Sequence, residues 1–254
     1  MSWDPERYGR FSDERLRPAL DLLARVELEN PVQIVDLGSG SGAALLALAA
    51  RWPEAKLTAV DNSAEMLAKA REVMPKADFI EADAGSWRPA EPVDLIYSNA
   101  VLHWLDDHDR LVPDLLDHLK PGGVLAVQVP DNWRDPCHTI MEELADLPEF
   151  REFAKPAVRR DPVLPAEAYY RLLAGARRVE LWKTTYFHVL EGDHPIYDWL
   201  SATSLGRILD TLDEARWADF VARYKAAAAE AYPKQPDGKT LYPLNRLFFV
   251  AQAQ

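Results

Sequence analysis

Asp36, Gly38, Gly40, Gly42 and Asp61 are the residues whose types and spacing promise chemistry. The run Val35-Asp36-Leu37-Gly38-Ser39-Gly40-Ser41-Gly42 ends an apolar stretch in a glycine loop and opens an Ala/Leu-rich segment. Glycines at such a point let the backbone turn tightly and approach a ligand closely. Gly38, Gly40 and Ala43 also satisfy the dinucleotide fingerprint, with Asp61 near the expected ribose-binding acid, so a nicotinamide dehydrogenase is one reading. Asp36 argues against it. A carboxylate just ahead of the loop repels a pyrophosphate, whereas it attracts an ammonium. S-adenosylmethionine (SAM) has no phosphate and carries a cationic amino-acid end, and so suits the loop. A plainer reading has Asp36 hydrogen-bonding only the loop backbone.

Further polar residues follow at regular intervals. Asp61, with Asn62 beside it, is placed to accept from both ribose hydroxyls, a bidentate arrangement that one carboxylate makes well. In Glu81-Ala82-Asp83-Ala84, Asp83 could accept an adenine amino group while the Ala84 N–H donates to a ring nitrogen. Trp87 and Met66 could sandwich the ring, although Met66 alone fits plain core packing better. Ser39 lies within the loop, and Asn99 closes another apolar run.

The elements that must position these residues read as an alternation of short apolar runs and helical periods, the pattern of a parallel α/β sheet. Strands are expected at Val32–Leu37, Lys56–Asp61, Ala77–Glu81, Val93–Asn99 and Val124–Val129, with helices at Ala43–Arg51, after the N-cap Ser63, and at Asp107–Leu119. Pro121-Gly122-Gly123 is expected to close the last of these helices. Met66, Leu67 and Ala70 form the expected buried face of the second. Asp36, Asp61, Asp83 and Asn99 then all fall at carboxyl ends of consecutive strands, where open α/β sheets bind ligands. Past Pro130 the texture changes: an irregular insertion is expected over 131–175, a long strand at Arg178–Leu190, a mostly helical insertion over 191–244, and a last strand at Asn245–Gln252. The expected fold is a Rossmann-like, mostly parallel sheet with its last strand antiparallel. The helical insertions form a substrate cap on one domain, with an N-terminal arm and helix over 1–30 and the ligand-binding core over 31–130.

The 254 residues carry a net charge of −12. An acidic chain disfavours polyanions, so no nucleic-acid partner is expected, and a small anionic substrate would need a local cluster of cationic groups. The charged start MSWDPERYGRF lacks the apolar core of a secretory signal, and no run is long enough to cross a bilayer. Cys137 is the single cysteine, which excludes an internal disulfide and a Cys-rich zinc cluster. A cytoplasmic protein is expected, with no membrane partner and no metal, as a monomer or weak homodimer.

The segments VDLGSGSG, AVDNSAEML, EADAGSW, IYSNAVLHWL and LKPGGVLAVQVPDN resemble the successive motifs of class I SAM-dependent methyltransferases. The start WDPERYGRFSDERLRPALDLLARV, with VPDNWRDPCHTIM, ELWKTTYFHVL and RLFFVA, is similar to a branch of that family that esterifies a small polycarboxylate. The resemblance implies SAM as methyl donor, held by Asp36, Gly38, Asp61, Asp83 and Asn99, and transfer to a carboxylate. A carboxylate is already ionised at neutral pH and needs no general base to attack a sulfonium methyl, so positioning and desolvation carry the reaction. His103 is then expected to donate a hydrogen bond to the acceptor or position it, the plainer alternative being a structural histidine packed next to Trp104. Were the acceptor a hydroxyl or amine, His103 would be the base. A non-catalytic SAM-binding module is a further alternative.

Anionic acceptors call for arginines, whose planar fork matches a carboxylate. The candidates are Arg10 and Arg17 in the arm, Arg159 and Arg160 in the first insertion, Arg207 in the second, and Arg246 on the last strand. Trp133, Tyr169, Trp199 and Tyr242 could wall the pocket, although each fits core packing at least as well, and Trp104 beside His103 is a further acceptor-site candidate. Tyr8 and Phe11 could fold over the donor as a lid.

Overall fold

The computed structural model describes the backbone of residues 12–158 and 162–254, with side chains from residue 16 onward in those ranges. The chain runs α1 (Ser12–Ala24), β1 (Gln33–Leu37), α2 (Ala43–Arg51), β2 (Lys56–Asp61), α3 (Ala64–Val73), β3 (Asp78–Glu81), β4 (Val93–Asn99), a 3₁₀ turn (Leu102–Trp104), α4 (His108–Asp117) and β5 (Leu119–Pro130). There follow α5 (Pro136–Ala145), α6 (Arg151–Ala154), α7 (Ala166–Leu172), β6 (Arg178–Leu190), α8 (Pro195–Ser201), α9 (Ser204–Leu209), α10 (Glu214–Ala231) and β7 (Thr240–Gln252). The backbone gathers into two compact units. Among the described residues, one takes in 131–158 and Thr185–Asn245, and the other Arg15–Pro130, Pro162–Thr184 and Arg246–Gln254.

The strands form a seven-stranded sheet in the order β3-β2-β1-β4-β5-β7-β6. β1 to β5 pair in parallel, and β7 runs antiparallel to β5. Chain order reverses direction between β1 and β4, so a crevice opens beyond their carboxyl ends. β1, β4 and β5 are buried on both faces along their middles, which is why Ile34-Val35, Leu95-Ile96-Tyr97 and Val124-Leu125-Ala126-Val127 are consecutive apolar residues rather than alternating ones. The Ser63 hydroxyl accepts from the Met66 N–H at 3.3 Å and caps α3, as its sequence predicts.

The sequence reading changes in detail, the last strand starting at Thr240 rather than Asn245. Pro121-Gly122-Gly123 does not close a helix; it lies inside β5, which starts at Leu119 and shifts register against β4 between Val93 and Leu95. The buried face of α3 is Leu67 and Ala70, and Met66 stays half-exposed.

The insertion unit has its own core. Cys137, Met141, Phe150, Trp199, Phe220, Tyr224 and Tyr242 are all buried in it. Three tyrosines converge on Cys137. Its N–H donates to the Tyr232 hydroxyl (3.1 Å), its carbonyl accepts from Tyr224 (2.9 Å), and its sulfur accepts from Tyr242 (3.4 Å). Among the described residues, no helix is long and apolar enough to cross a membrane.

Candidate methyl-donor site

The glycine loop is tied to the end of β2 by the chain itself. The N–H groups of Gly38 and Ser39 both donate to the Val60 carbonyl, at 2.7 and 3.0 Å. Gly38 has φ +79°, and a Cβ there would lie 2.1 Å from a Val101 methyl, so the residue after β1 has both the backbone and the space of glycine alone. Asp61 fastens the same loop from β2: one carboxylate oxygen accepts from the Gly40 N–H and the other from the Ser63 N–H, each at 2.9 Å. Each oxygen keeps a lone pair for a further donor.

Asp36 is different. It is 2% exposed, and its Oδ2 has no hydrogen-bond partner. Burial first, and the nearby Asp61 charge second, push its carboxyl up to about 7. The plain reading of Asp36 as a loop fastener does not hold, because Asp61 does that work. A buried carboxylate with a bare oxygen is costly unless a cation meets it, and this is the observation that fits an ammonium-bearing ligand.

The remaining polar residues line the same strand ends. Asp83 lies just past β3, exposed, with Oδ1 accepting from the Gly85 N–H at 2.9 Å. Its carbonyl accepts from the Trp87 N–H (2.8 Å), which folds Asp83, the buried Ala84 and the half-buried Trp87 into one turn. Arg88 secures that turn by donating to the Trp87 carbonyl (2.5 Å) and to Asp114 (2.6 Å). Asn62 is exposed beside Asp61. Asn99 ends β4 with its Oδ1 buried and without a partner, as is the Ser39 hydroxyl in the loop. The next residue, Ala100, has φ +57°, a strained value for a side chain, and its N–H donates to the Gln128 carbonyl at 2.9 Å.

His103 is buried in the 3₁₀ turn after β4, 4.5 Å from the Trp104 ring, which is 39% exposed. A second histidine, absent from the sequence reading, holds this turn. His108 Nε2 donates to the Leu102 carbonyl at 2.9 Å, which leaves Nδ1 to accept from the Tyr169 hydroxyl at 2.6 Å.

The acceptor candidates divide. Tyr8, Arg10, Phe11, Arg159 and Arg160 lie outside the described residues. Arg17 on α1 and Arg207 on α9 are exposed, and Trp133 and Arg246 are half-buried. Tyr242, Trp199 and Tyr169 take the core placement that the sequence equally allows: all three are packed inside the protein. Tyr242 is fully buried against Cys137 and Trp199, and Tyr169 is fully buried with its hydroxyl on His108.

Sequence reasoning missed Gln128. It is 1% exposed on β5, and neither amide atom has a partner. The signal was present: one polar residue inside Val124-Leu125-Ala126-Val127-Gln128-Val129, a run otherwise wholly apolar.

Comparison with known proteins agrees with this geometry. Residues 34–123 match the family model described as a methyltransferase domain. The chain is 46% identical over 252 residues to the trans-aconitate 2-methyltransferase of Azoarcus sp. (strain BH72), covering 98% of each. It is also 46% identical over 251 residues to the protein of that name from Klebsiella pneumoniae (strain 342), covering 98% of this chain and 97% of the relative. In fold it is similar to phosphoethanolamine N-methyltransferase 2 of Haemonchus contortus, solved with S-adenosylhomocysteine. The TM-score is 0.54 at 19% identity, over 93% of this chain and 52% of that one.

Proposed function

The chain belongs to the trans-aconitate 2-methyltransferase family of class I SAM-dependent methyltransferases, and on that premise we propose that it methylates one carboxylate of trans-aconitate, or of a close small polycarboxylate. The products are the monomethyl ester and S-adenosylhomocysteine (SAH). The observation that carries the donor half is Asp36, a buried carboxylate with a bare oxygen at a glycine loop. When bound, SAM supplies a sulfonium methyl group that an anionic oxygen can attack.

The residues of the chain have binding and positioning roles. Asp36 meets the ammonium and Asp61 the ribose. Asp83, Ala84, Trp87 and Met66 flank the adenine, and Asn99 and Ser39 supply polar atoms near the amino-acid end. No residue is needed to take a proton from an acceptor that is already ionised. His103, buried beside Trp104, orients the acceptor. Supporting this reading of the acceptor are the two relatives' names and the coverage of both insertions by the match. The net charge of −12 supports a small anion over nucleic acid as partner. Action in the cytoplasm, as a monomer or weak homodimer, completes the proposal.

The test is methyl incorporation from labelled SAM into trans-aconitate, cis-aconitate, citrate and isocitrate. Trans-aconitate is expected to be the best acceptor; its failure beside a working alternative would sink the assignment. His103→Ala is expected to raise the acceptor KM and keep a pH-rate profile without a base limb. A collapsed kcat in the variant, together with a histidine-like base limb present in the wild-type pH-rate profile and lost in His103→Ala, would instead make His103 a base.

A further inference from the structure

The pairing register places three of the partnerless polar side chains on one face of the sheet. Asp36 lies opposite Tyr97, Tyr97 opposite Ala126, and Asn99 opposite Gln128. Alternate residues of a strand share a face, and so Asp36, Tyr97, Asn99 and Gln128 all point the same way at the carboxyl ends of β1, β4 and β5. Tyr97 is satisfied, its hydroxyl donating to the Ala19 carbonyl at 2.6 Å. The other three are not: Asp36 Oδ2, Asn99 Oδ1, and both Oε1 and Nε2 of Gln128 are buried without a partner. A buried primary amide with neither end bonded is rare in a folded chain, and it calls for a ligand.

The kinds of atom identify that ligand. Three of the bare atoms are acceptor oxygens, and an ammonium brings three N–H donors. The fourth, Gln128 Nε2, is a donor and calls for an anionic oxygen. An α-amino acid carries an ammonium beside a carboxylate and satisfies both kinds together. A polycarboxylate offers acceptors only, and would leave Asn99 Oδ1 and Gln128 Oε1 as bare as before. We propose that Gln128 belongs to the methyl-donor site and reads the α-amino-acid end of SAM, its Nε2 donating to the carboxylate and its Oε1 accepting from the ammonium. The inference rests on the donor reading given above. It adds a neutral, two-ended contact to the single charge of Asp36.

The experiment is calorimetric titration of the wild-type protein and Gln128→Leu with SAH and with 5′-methylthioadenosine, which keeps the adenosine and lacks the amino acid. SAH binding is expected to weaken about 10- to 100-fold in Gln128→Leu, the effect of losing a hydrogen bond to a charged group. Binding of 5′-methylthioadenosine is expected to stay the same. Without ligand, Gln128→Leu is expected to melt no lower than wild type, because an apolar side chain replaces an unsatisfied amide. Gln128→Met repeats the comparison with a more adaptable side chain. Equal losses for both ligands would overturn the proposal, and so would unchanged SAH binding with a raised acceptor KM. Wild-type protein that binds neither ligand would overturn the donor reading itself.

Discussion

Asp36 is held where its charge is least welcome. Its carboxyl is pushed from 3.8 to about 7, chiefly by burial. An acid whose folded pKa lies above its unfolded value weakens the folded state as pH rises, here across the window from 3.8 to about 7, with the full cost present above it. The standard conversion puts that cost on the order of 4 kcal/mol for the ligand-free protein. Asp36→Asn is therefore expected to raise the melting temperature of the ligand-free protein at pH 8 and to bind SAH at least ~100-fold more weakly. Thermal melts with and without SAH check both effects. A variant destabilised at pH 8 would show that the carboxylate has a partner there already.

Among the elements, the β1–α2 connection is the most constrained. Gly38 combines φ +79° with a space in which a Cβ would sit 2.1 Å from Val101, the second residue after β4. Gly38→Ala is expected to cost about 2–4 kcal/mol through strain and overpacking. Because Val101 adjoins the turn that carries His103, the same substitution is expected to disturb turnover as well as SAM binding. Denaturant melts and SAH titration measure the two effects separately. Val101→Ala combined with Gly38→Ala should recover the packing part and leave the backbone strain. The sequence spacing marked this loop correctly, since glycine type and position are local properties. The His108–Tyr169 clamp on the Leu102 carbonyl was not legible, because its two partners stand 61 residues apart with no pattern linking them.

At the scale of the whole molecule, two buried titrations in different units oppose each other. Burial holds His138, in the insertion unit, down at about 4, so the stability it contributes above 6.5 is lost as pH falls through that interval. Asp36 acts the other way across nearly the same interval. Removing the Asp36 titration with Asn is expected to steepen the loss of stability between pH 6.5 and 4, read as melting temperature against pH. Cys137 in the insertion core is fully buried, and its thiol is pushed up to about 11. It is expected to resist a thiol-reactive dye in the native protein and to react only as fast as its unit opens. Fast labelling under native conditions would show that the Tyr224–Tyr232–Tyr242 cage opens locally.

The alternation of strands and helices, the glycine loop and the acids that follow each strand were legible along the chain. These depend on periodicity, backbone freedom and short-range spacing, all of which are written along the chain. Charge sign also travels with residue type, so a carboxylate at position 36 favours a cation over a phosphate. The tertiary structure decided how the polar groups share the work. Asp61 fastens the loop and Asp36 is left bare, because pairing of β1 with β2 brings the Gly40 N–H to Asp61. It chose the interior for Tyr242, Trp199 and Tyr169, where the sequence left core and pocket wall both open, since burial depends on which faces pack together and not on aromatic character. It also set Gln128 opposite Asn99, a register that arises only when two strands 29 residues apart pair side by side.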